Sequence, residues 1–209
     1  GRDALVSALE RCDAVVNLAG ESILGRRWTA ARRRVLEDSR VGVTDRLVGA
    51  MREARTRPVT LISASAVGYY GDRGGEPLTE TSSAGDGFLS GLGERWEAAA
   101  QQAEALGVRV VRLRTGLVLG QGGGALAAML PAFSCGLGGP FGSGNQHVPW
   151  IHLHDLAEII ATALVDDRYR GPVNAVAPAG VTSRVFARAL GRALGRPAVV
   201  RLPALATST

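Results

Sequence analysis

The sequence predicts an α/β domain built on a doubly wound, mostly parallel sheet. Three observations predict this fold class. Short apolar runs rich in valine and isoleucine recur along the chain, helical patterns of ten or more residues lie between most of them, and 46% of the 209 residues are hydrophobic, enough for one sizeable core. Strands that alternate with long helices need crossover connections, and these connections place helices on both faces of a parallel sheet.

The elements follow in order from these patterns. Strands are predicted where four to six apolar residues suit a buried sheet, at 14–18, 59–63, 108–113, 148–152, 173–176 and 198–202. Helices are predicted at 29–54, as one long or broken helix, and at 90–106, 125–135, 154–166 and 182–194. Ligands of such sheets bind beyond the carboxyl ends of strands, so the candidate loops are 19–27, 64–87, 114–124 and 136–149.

Charge and cysteine content argue against several classes of protein. All 24 basic residues are arginine, and with 19 acidic residues they give a formal net charge of +5. The densest basic run, 32–40, contains acids and no aromatic residue for base stacking, so we predict no nucleic-acid partner. Cys12 and Cys135 lack C-x-x-C spacing, and no apolar run approaches the ~20 residues of a membrane span. We therefore predict a cytoplasmic protein without a membrane partner.

The segment GQGGGA, residues 120–125, has the G-x-G-x-x-A form of a dinucleotide-binding turn. Glycine is abundant throughout the chain, and no acid stands about 20 residues further on to hold a ribose. We therefore favour a flexible helix entry over a phosphate loop. The absence of lysine excludes a Walker A motif.

The segment WIHLHDLAEII contains two histidines, His152 and His154, but no third ligand at a zinc spacing accompanies them. We predict no metal site. Instead we expect Asp155 or His154 to cap the helix that follows, and His152 to be buried or to line a pocket.

The segment SASAVGYYGD, residues 63–72, ends a predicted strand with small hydroxyl residues followed by Tyr69 and Tyr70. A serine just past the carboxyl end of a strand can donate a hydrogen bond to a substrate carbonyl, and a tyrosine can move a proton. A serine turn with packed aromatic rings explains the same residues equally well. These residues alone leave both interpretations open.

Six segments occur in the order NLAGE, DSRVGVTDRLVGAM, LISASAVGYYG, RLRTGLVLG, GLGGPFGSGNQHVPWIHLHDLAE and PVNAVAPAGVTSRVFARALGRALGRP. Together they resemble the extended short-chain dehydrogenase/reductase superfamily and, within it, the atypical SDR39U-like oxidoreductases of the NAD-dependent epimerase/dehydratase family. The similarity covers nearly the whole chain. It implies one Rossmann-type domain, 1–209, with a small C-terminal substrate-binding part built from 64–87, 136–149 and 171–209.

The resemblance also implies NAD(P) as the cofactor, with NADP slightly favoured. The backbone of NLAG matches the segment that passes under the adenine ribose and diphosphate in relatives, where small residues permit close approach. A guanidinium at Arg40 would bond phosphate or ribose oxygens, and the alternative is a surface arginine. The implied cofactor residues are Leu18, Ala19, Gly20, Arg40, Ser63, Thr115, Leu117 and Val118.

The usual catalytic pair of the superfamily, Tyr-x-x-x-Lys, is absent. The matching region, 88–97, has neither residue, and a chain without lysine offers no other register. The resemblance leaves Ser65 to orient a carbonyl or alcohol and Tyr70 to donate a proton, while Trp150 and His152 shape the substrate pocket. Tyr69 and Arg73, four residues apart, are a weaker substitute pair.

Relatives begin with a strand, a glycine-rich turn and a helix that together bind the cofactor diphosphate. This sequence starts after that unit and stops before the closing helices, so we expect a fragment lacking ~30 or more residues of a first βαβ unit. Superfamily dimers commonly pair through helices matching 29–54 and 90–106, which makes a homodimer possible.

Three function classes result. We favour a nicotinamide-dependent oxidoreductase or epimerase acting on an unknown small molecule. The alternative is a catalytically impaired NAD(P)-binding sensor or scaffold, because the catalytic pair is missing. A basic anion-binding or nucleic-acid-binding module is a third, weaker class, and it alone predicts a steep salt dependence of binding.

Overall fold

Strands and helices alternate along the chain, as the sequence pattern predicts. A computed structural model describes residues 1–23 and 28–201. The strands are β1 (Ala14–Asn17), β2 (Thr60–Ala66), β3 (Arg109–Thr115), β4 (Leu117–Leu119), β5 (His147–Val148), β6 (Trp150–His152), β7 (Gly171–Ala175) and β8 (Val181–Thr182). The helices are α1 (Arg2–Leu9), α2 (Ala30–Glu37), α3 (Val43–Glu53), α4 (Phe88–Gln101), α5 (Gly124–Ser134), α6 (Leu153–Val165) and α7 (Ser183–Ala193).

In the described part of the chain, the central sheet has the strand order β1-β2-β3-β7, and all its pairs are parallel. Two small sheets accompany it. Strands β4 and β6 pair in parallel, and β5 and β8 pair antiparallel. Because the strands of the central sheet are parallel, their carboxyl ends meet at one edge, where ligands bind in folds of this type. The predicted α/β class is confirmed.

Helices cover both faces of the central sheet. On one face Leu61 and Val110 pack against side chains of α1, α3 and α4, among them Leu9, Leu47, Met51 and Ala100. On the other face Ile62, Val111 and Leu113 pack against α6. Full burial of each such aliphatic side chain stabilises the fold by about 1.5–3 kcal/mol, so these two layers supply the main driving force for folding.

The long helix predicted at 29–54 forms as α2 and α3 joined by a π-helical segment, Asp38–Gly42. Thr29 caps α2, because its hydroxyl accepts a hydrogen bond from the amide of Arg32 at 3.2 Å. A π-helical turn inserts an extra residue, and such turns are common at functional sites. Here the segment contains Ser39 and Arg40, which both reach the loop after β1.

Two sequence predictions are wrong. No strand forms at 198–201, and residue 202 lies outside the described residues. The chain instead turns back on α7, where the amide of Arg196 donates to the carbonyl of Gly191, and the amide of Val200 donates to the carbonyl of Gly138. These residues therefore pack against a helix end and a loop, which offer no strand to pair with.

The cap predicted for α6 is also wrong. The helix begins at Leu153, and its N-cap is His152, whose ring Nδ1 accepts a hydrogen bond from the amide of His154 at 3.2 Å. Asp155 lies one turn too late to cap and contributes a negative charge to the first turn, where the helix dipole favours it.

The turn after α6 holds a carboxylate with a strongly lowered pKa. Hydrogen bonds from the side chain and then the backbone amide of Arg168 lower the pKa of Asp166 from 3.8 to about 2. Because the folded-state pKa is depressed, the stabilisation is present above the ordinary pKa and is lost as the pH falls from there toward 2. An NMR titration should find Asp166 near that value, and Arg168→Ala should raise its pKa. An unchanged pKa in the variant would contradict this assignment.

Candidate functional site

The loop after β1 is exposed at the carboxyl edge of the sheet. Asn17 is 7% exposed, and its side-chain Nδ2 donates to Thr44 Oγ1 at 3.1 Å. Its side-chain Oδ1 accepts from the backbone amide of Ala19 at 3.3 Å. This anchoring ends the strand and turns the chain outward. Leu18 is 56% exposed, and Ala19 and Gly20 are exposed as well. These three predicted cofactor residues therefore line an accessible surface.

Arg40 lies under this loop. Its Nη2 donates to the carbonyl of Glu21 at 2.8 Å, its Nη1 donates to the carbonyl of Leu36 at 3.3 Å, and its guanidinium lies 5.3 Å from the ring centroid of Trp96. A Cβ at Gly20 would come within 3.2 Å of Arg40 Cζ, so the absence of a side chain at Gly20 permits the close packing. Arg40 is thus half-buried support for the loop, and its contact with a phosphate stays a prediction.

The loop carries an excess of positive charge on its inner side. Burial lowers the pKa of Arg40, the nearby charge of Arg32 lowers it further, and Glu21 opposes both effects. Arg32 itself donates from Nη1 and Nη2 to the Glu21 carboxylate at 3.2 Å. Two guanidinium groups facing one carboxylate suit the binding of an anionic group such as a phosphate.

The two predicted catalytic hydroxyls lie inside the protein. Ser65 is 2% exposed, and its Oγ donates to Glu97 Oε1 at 2.7 Å. Tyr70 is 3% exposed, and its hydroxyl donates to Asn174 Oδ1 at 2.6 Å. The structure brings them into one hydrogen-bonded network, but both hydroxyls are already engaged by protein groups. A direct catalytic role for either residue stays a prediction.

The centre of this network is a buried ion pair that the sequence analysis missed. Arg114 donates from Nε and Nη2 to the two carboxylate oxygens of Glu97 at 2.7 and 2.8 Å, and the side chains are 3% and 5% exposed. Burial alone lowers the pKa of Arg114, but hydrogen bonds to Glu97 and Tyr70 outweigh it, and the pKa is raised. The arginines within the apolar run VRVVRLRT could have indicated this ion pair, because a charged side chain in a buried strand needs a partner of opposite charge.

The remaining predicted cofactor residues follow β2 and β3. Ser63 is buried and pairs in register with Asn17 of β1. Thr115 closes β3, and its hydroxyl donates to the carbonyl of Ser65 at 3.0 Å. Leu117 and Val118 belong to β4, beside β6. All four are half-buried or buried near the carboxyl edge, and their contact with a cofactor stays a prediction.

The predicted substrate side is formed by several loops. Trp150 is half-buried on β6, whereas His152 is exposed and borders an open groove together with Gly120 and Gln121 of the glycine-rich segment. That segment leads into α5, as the favoured interpretation of GQGGGA predicts. The ring of His147 lies 3.3 Å from the carbonyl of Gly74, which joins the loops 64–87 and 136–149.

The third segment of the predicted substrate-binding part, 171–209, begins inside the central sheet. Its first residues, 171–175, form β7 of the central sheet. Residues 202–209 lie outside the described residues, and so do residues 24–27 of the loop after β1.

The substitute catalytic pair of Tyr69 and Arg73 is not formed, because Arg73 binds Glu76 while Tyr69 lies over Arg114. Nowhere in residues 1–23 and 28–201 do three histidine, cysteine or acidic side chains converge as a metal site requires.

Comparison with known proteins gives consistent matches. Residues 1–175 match the model of the family described as NAD dependent epimerase/dehydratase. The chain is 46% identical over 199 residues to an epimerase family protein of Mycobacterium bovis, covering 95% of this chain and 65% of that protein. It is 47% identical over 205 residues to the epimerase family protein SDR39U1 of Bos taurus, covering 96% and 69%.

Among solved structures, the chain is similar to human epimerase family protein SDR39U1, isoform 2, solved with NADPH. The TM-score is 0.87 at 41% identity, and the match covers 97% of this chain and 70% of the human one. The chain thus spans 65% of the length of its mycobacterial relative. Within the described residues, no helix is long and apolar enough to cross a membrane.

Proposed function

Because the chain belongs to the NAD dependent epimerase/dehydratase family, we propose that it forms part of an NAD(P)-dependent oxidoreductase or epimerase that acts on a small molecule. The observation that carries the proposal is the exposure of Leu18, Ala19 and Gly20 at the carboxyl edge of the sheet, on a loop that Arg40 supports. The similarity to a structure solved with NADPH supports a slight preference for NADP.

The residues of this edge fit a dinucleotide. The small side chains at 19 and 20 leave the backbone open to a flat group, and the positive charges of Arg32 and Arg40 favour phosphate oxygens. Bound nicotinamide supplies a hydride donor or acceptor at its C4 atom. The segment from Thr115 to Val118, where β3 passes into β4, would orient the nicotinamide end, and the anchored loop after β1 would support the ribose.

Arg40 provides the first test. We expect the Arg40→Ala variant to bind NADPH at least about tenfold more weakly, a loss of about 1.4 kcal/mol, because the loop loses its support and the site loses a positive charge. Fluorescence titration of the chain with NADPH and NADH measures both affinities. Arg46→Ala, an exposed arginine of α3, is the matched control. Equal affinities in the two variants would refute the role of Arg40 in cofactor binding.

On the substrate side, we propose that Ser65 orients a carbonyl or alcohol, that Tyr70 donates a proton, and that Trp150 and His152 shape the pocket. These roles require the hydroxyls to exchange their present partners, Glu97 and Asn174, for substrate. Loss of turnover in Ser65→Ala with unchanged NADPH affinity would support this arrangement. Full turnover by that variant would remove Ser65 from the reaction.

An NAD(P)-binding sensor or scaffold is the second candidate. One observation favours it: α4, where the superfamily places its tyrosine and lysine, has neither residue, and the chain has no lysine at all. NADPH incubated with ketones, aldehydes and nucleotide sugars distinguishes the candidates. Its oxidation by any of these compounds supports the enzyme, and bound but unconsumed NADPH across the panel supports the sensor.

The assembly and location of the protein follow as further proposals. We propose a homodimer that pairs through the helical segments 29–54 and 90–106, to be checked by sedimentation. Cys12 and Cys135 are both free, which suits a reducing compartment such as the cytoplasm. We propose no nucleic-acid partner, because the basic run 32–40 contains acids and no aromatic residue for base stacking. We propose no membrane partner either.

A further inference from the structure

The loop formed by residues 71–87 lies beside the carboxyl ends of β2, β3 and β7, on the proposed substrate side. It is held at several points. The amide of Gly85 donates to the carbonyl of Tyr69 at 3.0 Å, and the carboxylate of Glu80 accepts from the amide of Asn174 on β7 at 2.9 Å. The loop is therefore attached both to the turn after β2 and to the far strand of the sheet.

Arg114 connects these attachments. Besides its two bonds to Glu97, its Nη1 donates to the hydroxyl of Tyr70 at 3.0 Å and to the carbonyl of Glu80 at 3.1 Å. One guanidinium thus joins β3, helix α4, the turn after β2 and the loop. A lysine would present a single ammonium group and could not reproduce this planar set of donors.

Tyr69 is confined by the same group. The guanidinium carbon of Arg114 lies 3.6 Å from the centroid of the Tyr69 ring. On the helix side, a Cβ at Gly93 would lie 3.3 Å from Tyr69 Cα, so the tyrosine backbone packs directly on α4. Tyr69, which is half-buried, therefore packs between a charged plane and a helix backbone.

We infer that Arg114 is a positioning residue, which fixes Tyr69 and the 71–87 loop above the sheet edge, with Glu97 as its counter-charge. That the 71–87 loop borders a substrate rests on the proposed function, whereas the positioning of the loop by Arg114 does not. Arg114 contacts the hydroxyl of Tyr70, the proposed proton donor, but its side chain is only 3% exposed, so it acts through the residues it holds and not on a substrate directly. The hydroxyls of Ser65 and Tyr70 belong to the same network that holds the 71–87 loop in place.

Amide hydrogen exchange of the full chain tests this inference, with Arg114→Lys as the variant and Arg95→Lys as the control. Arg95 lies on the exposed face of α4 and pairs with Glu37. In Arg114→Lys we expect the amides of Gly85 and Asn174 to exchange at least about tenfold faster, while those of Ile62 and Val111 in the strand cores stay protected. No such change in the control completes the expected result.

Two outcomes would overturn the inference. Either the loop amides exchange no faster in Arg114→Lys than in Arg95→Lys, or core and loop amides accelerate by the same factor, which means general destabilisation. If Arg114→Lys does not fold, Tyr70→Phe decides, with the amide of Gly85 as the readout. The lost hydroxyl binds Arg114 but also donates to Asn174, so only faster exchange at Gly85 with protected core amides supports the inference. The measurement needs no nucleotide, so its result is independent of whether NADPH binds.

Discussion

The Glu97→Ala variant should lose about 3–5 kcal/mol of unfolding free energy, because it leaves a buried guanidinium without its counter-charge. Arg114 is 3% exposed at its side chain, so its guanidinium is left buried when the carboxylate is removed. The same change removes the acceptor of the Ser65 hydroxyl. Urea unfolding followed by circular dichroism measures the loss.

Glu94→Ala is the control for this prediction, since Glu94 is an exposed acid on the same helix. Its effect should stay within about 0.5 kcal/mol. A similar small effect for Glu97→Ala would mean that the ion pair contributes little. In that case the rigidity of the 71–87 loop would need another cause.

The Arg109→Ala variant should lose about 3 kcal/mol, because several backbone carbonyls lose their donor at once. Arg109 is 6% exposed at the amino end of β3. Its Nη1 donates to the carbonyls of Ala163 and Tyr169 at 2.9 and 2.8 Å, and its Nη2 donates to the hydroxyl of Thr60 at 3.0 Å. The guanidinium also lies at the C-terminal end of α6, where the helix dipole favours a positive charge.

Thermal or urea unfolding of Arg109→Ala beside Arg170→Ala checks this effect. Arg170 is exposed on the segment that precedes β7, and its removal should change the stability by no more than about 0.5 kcal/mol. Comparable stability of the two variants would show that α6 is held by its apolar face alone. NADPH binding in Arg109→Ala should stay unchanged wherever the protein is folded, since this arginine lies at the opposite edge of the sheet from the proposed site.

Much of the fold could be predicted from the sequence, because local patterns of residues determine where its strands and helices form. Valine-rich and isoleucine-rich runs placed β1, β2, β3 and β7 within a few residues of their observed bounds, and the spacing of apolar residues placed the helices between them. The exception at 198–202 is informative. Its composition suits a strand, but 198–201 pack beside α7 and a glycine loop, and a strand needs a pairing partner that no local pattern specifies.

Only part of the candidate site could be predicted from the sequence. The exposure of Leu18, Ala19 and Gly20 follows from a strand that ends at small residues. The surroundings of Ser65 and Tyr70 do not follow from their own segment, since their partners are Glu97 and Asn174, 32 and 104 residues further along the chain. A hydroxyl at a strand end can face a ligand or a buried carboxylate, and only the packing of α4 against the sheet decides between them.

The sequence by itself determined the alternation of strands and helices, the small residues after β1, and the absence of any lysine for a Tyr-x-x-x-Lys pair. Tertiary structure alone decided that Arg114 meets Glu97, that Arg40 supports the loop above it, and that His152 caps α6. The physical reason is the distance along the chain over which each kind of interaction acts. Backbone conformation and apolar periodicity are set by neighbouring residues, whereas a buried charge finds its partner through strand register and helix packing, which only the folded chain defines.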